Sequence, residues 1–207
     1  QLWHEGYNLT EITQRLTSVL GLKCRIVPMT DQPVATMIDT IERGELAFQM
    51  YFVKHRWQPT FKSLRLDGIE NAQITPQIRE AVTNADAIIV GPSNPWLSIT
   101  PIISVPEFRA LLTAQNVPRI AITPIIQNKA VKGPTAKIMQ ELEYEVSGRA
   151  VRDYYGDLIN GFVYDEQDGT TQIAATKTVA LDTYMNNDYK RIQLARNVLR
   201  WLDKDWI

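Results

Sequence analysis

Residues 85–90, Ala-Asp-Ala-Ile-Ile-Val, and residues 119–123, Arg-Ile-Ala-Ile-Thr, are short runs with the composition of strands apolar on both faces. Helical patterns precede each: residues 75–82 before the first, and a segment opened by Pro106 and carrying Phe108, Leu111 and Leu112 before the second. A strand with two apolar faces must be covered on both. Amphipathic helices alternating with such strands do this by forming a parallel sheet with a helical layer on each side. The expected class is therefore α/β, with three layers.

The remaining elements are read from local signals. Asn8 followed by Glu11 is a capping-box pattern, and Leu9, Ile12, Leu16 and Val19 recur at helical spacing until Gly21. Residues 22–27 and 34–40 are rich in β-branched side chains between Pro28, Pro33 and Gly44, which predicts two strands, with a weaker strand pattern at 48–55. A strand at 60–66 opens the alternation described above. Helices are expected at 135–142 and 148–158, a short strand at 162–165 and a last helix at 189–202. No internal repeat or low-complexity linker divides the 207 residues, so a single domain over 1–207 is expected.

Charge and composition narrow the function classes. The 22 Lys and Arg balance 23 Asp and Glu, for a formal charge of −1, and no basic run is present, so no nucleic-acid partner is expected. The longest apolar stretches, such as 87–90, fall far short of a spanning helix, and no membrane association is expected. Cys24 is alone, which excludes an internal disulfide. With only His4 and His55 beside it, it cannot form a structural zinc site of ordinary spacing. A cytoplasmic location follows as the expectation. Gln1 stands where an initiator Met would, and the opening residues read as the continuation of something already under way. The expectation is a fragment that lacks its N-terminal part.

In an open α/β sheet, ligands sit beyond the carboxyl ends of the strands. Two loops qualify. Gly91-Pro92-Ser93-Asn94-Pro95-Trp96-Leu97-Ser98-Ile99-Thr100-Pro101 follows the first apolar strand, and its prolines fix a backbone from which Ser93, Asn94 and Ser98 offer donors for phosphate or sugar oxygens. A rigid turn whose Ser and Asn cap their own backbone competes with that reading. Pro95 replaces the closing glycine of a nucleophile elbow, which argues against a serine hydrolase. The second loop runs from Thr123 through Asn128, Lys129 and Lys132 to Gly133-Pro134, where lysines and free amides could meet a polyphosphate; the spacing is not that of a Walker A loop. Solvated lysines beside an ordinary turn are the alternative.

Thr30 and Asp31 lie just past the strand expected at 22–27. Asp31 is a candidate for a divalent cation or a sugar hydroxyl, against the commoner role of an Asx turn. Phe48, Tyr51 and Phe52 form an aromatic cluster that is either core or a platform for a flat ligand. The segment 164–169, with Asp165 and Asp168, lacks calcium-loop spacing and reads as an acidic hairpin. From the residues alone the reading stops at a nucleotide-sized phosphate ligand on a parallel sheet.

Taken in order, Thr30-Asp31-x-x-Val34, Phe48-Gln49-x-Tyr51-Phe52-Val53, Pro92-Ser93-Asn94-Pro95-x-x-Ser98-Ile99-x-Pro101-Ile102 and the stretch from Pro124-Ile125-Ile126 to Ala130-Val131-Lys132-Gly133-Pro134 resemble the 2-phospho-L-lactate transferase family. Asp157-Leu158-Ile159, Phe162-Val163-Tyr164-Asp165 and Asp182-Thr183-Tyr184-Met185 continue the resemblance along nearly the whole chain. It implies a Rossmann-like sheet lacking its first strand and Gly-rich loop, and membership in the biosynthesis of the deazaflavin coenzyme F-420. The activity implied is magnesium-dependent transfer of a 2-phospholactyl or phosphoenolpyruvyl group from a guanosine diphospho donor to the ribityl hydroxyl of a deazaflavin precursor. GMP is the leaving group.

By the same likeness Thr30 and Asp31 border the reacting phosphates as the catalytic pair. Gly91, Ser93, Asn94, Pro95, Ser98, Thr123, Asn128, Lys132 and Gly133 bind the nucleotide, and Phe48 to Phe52 wall the pocket. Metal ligands are expected in the missing N-terminal part, with Asp31 a further candidate, and a homodimer is a further expectation. The family carries two glycines where Gln127 and Asn128 stand, so a looser approach of phosphate to that backbone is expected. A non-catalytic nucleotide or nucleotide-sugar binding regulator of the same superfamily is the alternative.

Overall fold

The computed structural model describes residues 2–169 and 176–206. α1 (Leu9–Val19) starts as its capping box dictates: Asn8 Oδ1 accepts the Glu11 N–H at 2.8 Å, and Glu11 Oε2 accepts the Asn8 N–H at 2.9 Å. The strand expected at 22–27 does not form. Leu22 and Ile26 are half exposed and no strand among the described residues pairs with the segment, so its β-branched content gains nothing from a sheet.

β1 (Ala35–Thr40) and β2 (Gly44–Ala47) make a hairpin whose turn ends on Gly44 at φ 63°, with the Thr40 hydroxyl donating to the Gly44 carbonyl at 2.8 Å. The strand pattern at 48–55 gives instead a π-helical turn, Met50–Lys54, which sets Phe48 and Phe52 face to face with ring centroids 5.3 Å apart. β3 (Phe61–Asp67) pairs antiparallel with β1, in the order β2-β1-β3. The expectation that this strand opens the parallel sheet is thus corrected. Lys62, Arg65 and Asp67 give it a solvated face and ion pairs to Asp39 and Glu45, which a doubly covered strand could not accommodate.

The parallel sheet starts later. α2 (Pro76–Thr83), capped by Thr75 Oγ1 on the Ile78 N–H, leads to β4 (Ile88–Val90). A π-helical turn, Pro95–Ile99, runs into α3 (Thr100–Ile103), and α4 (Phe108–Thr113) begins after Glu107 rather than at Pro106. β5 (Arg119–Ile122) is followed by a hairpin of β6 (Ile125–Ile126) and β7 (Lys129–Ala130). Its two central residues, Gln127 and Asn128, have φ of 49° and 58°. A two-residue hairpin loop with both φ positive is where glycine or asparagine is preferred, so Gln127 holds a conformation for which glycine is the usual residue, while Asn128 suits its own. The Gln127 N–H donates to Asp168 Oδ1 at 2.6 Å, which helps to hold it there.

α5 (Thr135–Glu141), α6 (Gly148–Tyr155), β8 (Gly161–Asp165), β9 (Lys177–Leu181) and α7 (Asp188–Asp205) complete the chain. The helix expected to 158 ends at Tyr155 and tightens into a 3-10 turn over 156–158. The segment read as an acidic hairpin holds a 3-10 turn over 166–168, with 170–175 outside the described residues.

β4, β5, β8 and β9 form the parallel sheet in that order. Alternation along β5 and β8 divides the core. Ala121, Phe162 and Tyr164 join Trp96, Leu112, Met139 and Tyr155 on one face. Ile120, Ile122 and Val163 meet Leu194, Val198, Trp201 and Leu202 of α7 on the other. Gly161 lies at a tight point of this face: a Cβ there would come 2.9 Å from Ile120 Cγ1, 3.1 Å from the Trp206 ring and 3.2 Å from the Trp201 ring of α7, so a side chain at 161 would press on the residues that seat α7 against the sheet. Among the described residues no helix is long and apolar enough to cross a membrane.

Candidate functional site

A cavity of about 420 Å³ opens at the carboxyl end of the parallel sheet. Its wall combines the loop after β4, the residues after β5, the turn before α5, the segment after β9, one residue of α7, and the Phe48–Phe52 pair. Of the residues expected to bind nucleotide, it gathers Ser93, Asn94, Ser98, Thr123, Lys132 and Gly133. Gly91, Pro95 and Asn128 are not on its wall. The Gly91 carbonyl accepts the Ser93 N–H at 2.7 Å, and buried Pro95 gives its carbonyl to the Thr100 hydroxyl at 2.9 Å, so both shape the loop. Asn128 sits at the tip of the β6–β7 hairpin.

Thr30 and Asp31 are also off this wall. Asp31 Oδ1 accepts the Thr10 N–H at 2.8 Å and the Thr10 hydroxyl at 2.9 Å, which ties the start of α1 to the segment before β1. The Thr30 hydroxyl donates to Gln32 Oε1 at 2.6 Å, and the same Gln32 oxygen accepts the Gln73 N–H at 3.0 Å. Among the described residues there is no group of three or more His, Cys, Asp or Glu that could hold a metal ion.

Asn94 has its oxygen committed and its nitrogen free. Oδ1 accepts the N–H groups of Trp96 and Leu97, each at 2.9 Å, while Nδ2 is buried without a partner among the described residues. The capping reading and the ligand reading of this residue are thus compatible, because they use different atoms. Thr123, buried, exchanges hydrogen bonds with Ile125 at 3.1 and 3.2 Å and turns the chain out of β5. Lys132 is exposed beside Gly133, whose φ is 68°.

Two contributions escaped the sequence reading. Arg191, in the first turn of α7, lines the cavity and pairs with Asp188 at 2.6 Å. Nothing in its local sequence points there; the crossing from β9 to α7 delivers it. Thr183, 4% exposed, also lines the wall, and its environment is unusual. Asp165, fully buried at the end of β8, accepts both the Thr183 N–H at 2.9 Å and the Thr183 hydroxyl at 2.8 Å on Oδ2, and the Gln167 N–H at 3.0 Å on Oδ1. Burial pushes the nearby Asp168 carboxyl above the ordinary aspartate range, against the opposing Gln127 N–H.

The Lys190 ammonium donates to Asp182, beside Thr183, and this hydrogen bond holds the Asp182 carboxyl below its ordinary value of 3.8. A depressed folded-state value means that the stabilisation is present above about pH 4 and is lost as pH falls through the folded value. The side chains are 32% and 39% exposed, so solvent screening keeps the effect small. Asp182→Asn is expected to flatten the acid limb of stability measured by urea unfolding across that range; a limb parallel to the parent's would mean that the pair contributes nothing.

The sequence profile of the family described as 2-phospho-L-lactate transferase CofD matches residues 2–202. The chain is 38% identical over 200 residues to the 2-phospho-L-lactate transferase of Methanosarcina mazei, covering 95% of this chain and 65% of that protein. It is 32% identical to the one of Methanopyrus kandleri, over 97% of this chain and 64% of that one. The phosphoenolpyruvate transferase of Thermobifida fusca is also 32% identical, over 94% and 61%. The chain thus spans a little under two thirds of these relatives' length. A crystal structure of protein BH3568 from Bacillus halodurans superposes with a TM-score of 0.63 at 12% identity, over 90% of this chain and 65% of that one, and shares the fold.

Proposed function

The chain belongs to the 2-phospho-L-lactate transferase family, and on that premise we propose that it is part of a transferase moving a 2-phospholactyl or phosphoenolpyruvyl group from a guanosine diphospho donor to a deazaflavin precursor. In the reaction the acceptor's ribityl oxygen attacks the phosphorus that carries the three-carbon group. The bond from that phosphorus to the GMP oxygen breaks, the hydroxyl proton is lost to a base or to water, and GMP leaves with the bonding electrons. Such a displacement needs alignment of oxygen and phosphorus and neutralisation of developing charge more than covalent chemistry from the protein.

One observation carries the reading. A single cavity at the carboxyl end of the sheet unites Ser93, Asn94 and Ser98 from one family motif with Lys132 and Gly133 from another, and adds Arg191 as a second cation. Lys132 would face the diphosphate, with Asn94 and the two serines as neutral donors and the stacked Phe48 and Phe52 rings offering a plate for a flat ring system. Thr30 and Asp31 enter the proposal by family likeness as groups bordering the reacting phosphates. Magnesium enters the same way and would neutralise phosphate charge when bound. Magnesium is commonly held by one or two carboxylates with substrate phosphates. The described residues provide Asp31 as a candidate but no carboxylate cluster, so no step here is routed through the ion.

The test is product analysis by mass spectrometry on the full-length protein, given deazaflavin precursor, magnesium and each guanosine diphospho donor. A phospholactyl or phosphoenolpyruvyl deazaflavin with stoichiometric GMP is expected. Nucleotide binding without GMP release would overturn the transferase in favour of a regulator. Lys132→Ala is expected to weaken GDP binding roughly ten-fold, equivalent to about 1.4 kcal/mol for a charge-assisted contact, and to reduce its dependence on salt. Superimposable calorimetric titrations would remove Lys132 from the site.

A further inference from the structure

The hydrogen bonding around Thr183 fixes what this wall of the cavity can recognise, a conclusion that rests on the nucleotide-site reading and deepens it. A threonine hydroxyl has one proton. Here that proton goes to Asp165 Oδ2 at 2.8 Å, inside a carboxylate that is fully buried and accepts two further backbone N–H groups. The donor cannot be redirected without leaving a buried charge one partner short. Toward the cavity Thr183 therefore has only lone pairs to offer.

Asn94 on the same cavity has the opposite polarity. Its oxygen is held by the Trp96 and Leu97 N–H groups, so its two unpartnered Nδ2 protons make it a donor. The site thus carries a donor at Asn94, cations at Lys132 and Arg191, and an acceptor at Thr183 backed by a buried negative charge.

We infer that Thr183, oriented by Asp165, is a specificity-determining residue that accepts a hydrogen bond from an N–H or O–H group of the nucleoside, a base nitrogen or a ribose hydroxyl. Both phosphates of a diphosphate esterified at each end, as in the proposed donor, are without protons at pH 7 and would face both an acceptor and the Asp165 carboxylate, so the diphosphate is directed toward the Lys132 side. Asp165 acts through Thr183 as a positioning residue. It touches no ligand.

The experiment is calorimetric binding to the full-length protein of GDP and four analogues that each lack one donor: inosine diphosphate, N1-methyl-GDP, 2′-deoxy-GDP and 3′-deoxy-GDP. Parent protein, Thr183→Val and Thr183→Ser are compared. In the parent, at least one analogue is expected to bind about ten-fold more weakly than GDP. Thr183→Val is expected to lose about the same factor for GDP and nothing further for that one analogue, while Thr183→Ser, which keeps the hydroxyl, stays near the parent. Pyrophosphate binding should be within about two-fold in all three proteins, since it reports the cationic side.

A folded Thr183→Val protein that binds GDP like the parent would overturn the inference, as would an equal loss for GDP and every analogue. If the valine variant does not fold, equal affinity of the parent for GDP and all four analogues would do the same. A parent that binds no guanosine nucleotide at all would instead remove the nucleotide reading of the site.

Discussion

Replacing Asp165 by alanine is expected to lower the unfolding free energy by about 3 kcal/mol or more, a large fraction of the margin of a domain this size. The carboxylate accepts three donors, the N–H groups of Gln167 and Thr183 and the Thr183 hydroxyl, and none of its surface reaches solvent. Removing it leaves three donors seeking acceptors where water has little access, each costing about 1 to 3 kcal/mol when left unmade, with relaxation recovering part of the sum. Asp165→Asn should lie between the two, because its NH2 must point either at the Gln167 N–H or at the Thr183 N–H, donor against donor. Urea unfolding with an unchanged slope measures the difference. An alanine variant within about 0.5 kcal/mol of the parent would show that this carboxylate does not hold the segment after β9 against the end of β8.

Asn94→Ala is expected to cost about 1 kcal/mol of stability and, separately, about ten-fold or more in affinity for guanosine nucleotide. The two losses come from different atoms of one side chain. Oδ1 caps the turn at 95–99 through the Trp96 and Leu97 N–H groups, and Nδ2 is the buried, unpartnered donor on the cavity. Asn94→Asp separates them. A carboxylate caps as well as the amide does, so the cap is kept and any loss of thermal stability reports the charged oxygen put in the buried place of Nδ2, yet it has no proton for the ligand and would repel a diphosphate. Calorimetric binding beside thermal unfolding reads both quantities. An aspartate variant that kept parental affinity would confine Asn94 to the turn.

Much of the site could be read before folding because its residues lie in loops that directly follow apolar strands. Of the run 85–90 only Ile88–Val90 pairs, as β4, at the edge of the described parallel sheet and with Ile89 44% exposed, so the expected double cover is corrected there; Arg119–Ile122 pairs inside the sheet as β5, and the motifs after both converge on one cavity. Proline and glycine punctuation, the Asn8 capping pattern and helical spacing are local signals, which is why α1, α2 and α7 begin within a residue of the starts expected at 9, 75 and 189.

Other features were not local. Residues 22–27 have strand composition but no partner strand among the described residues, and residues 61–67 form a strand that joins β1 instead of the parallel sheet, because Lys62 and Arg65 need a solvated face. The aromatic run at 48–55 becomes a π-helical turn in which Phe48 stacks on Phe52 and the Tyr51 ring is buried against Phe61.

The sequence by itself determined the class of fold, the position of the loops that carry ligand chemistry and the family, since each depends on periodicity or on short ordered motifs. Only the tertiary structure decided which of those groups meet and what protons they have left. Arg191 reaches the cavity because α7 packs across the sheet over Gly161, and Thr183 becomes an acceptor because β8 and β9 pair in the register that sets Asp165 beside Leu181, two residues before it. Residue types state which hydrogen bonds are possible, and packing determines which are already made. What remains unmade at the surface of a cavity is what a ligand can use.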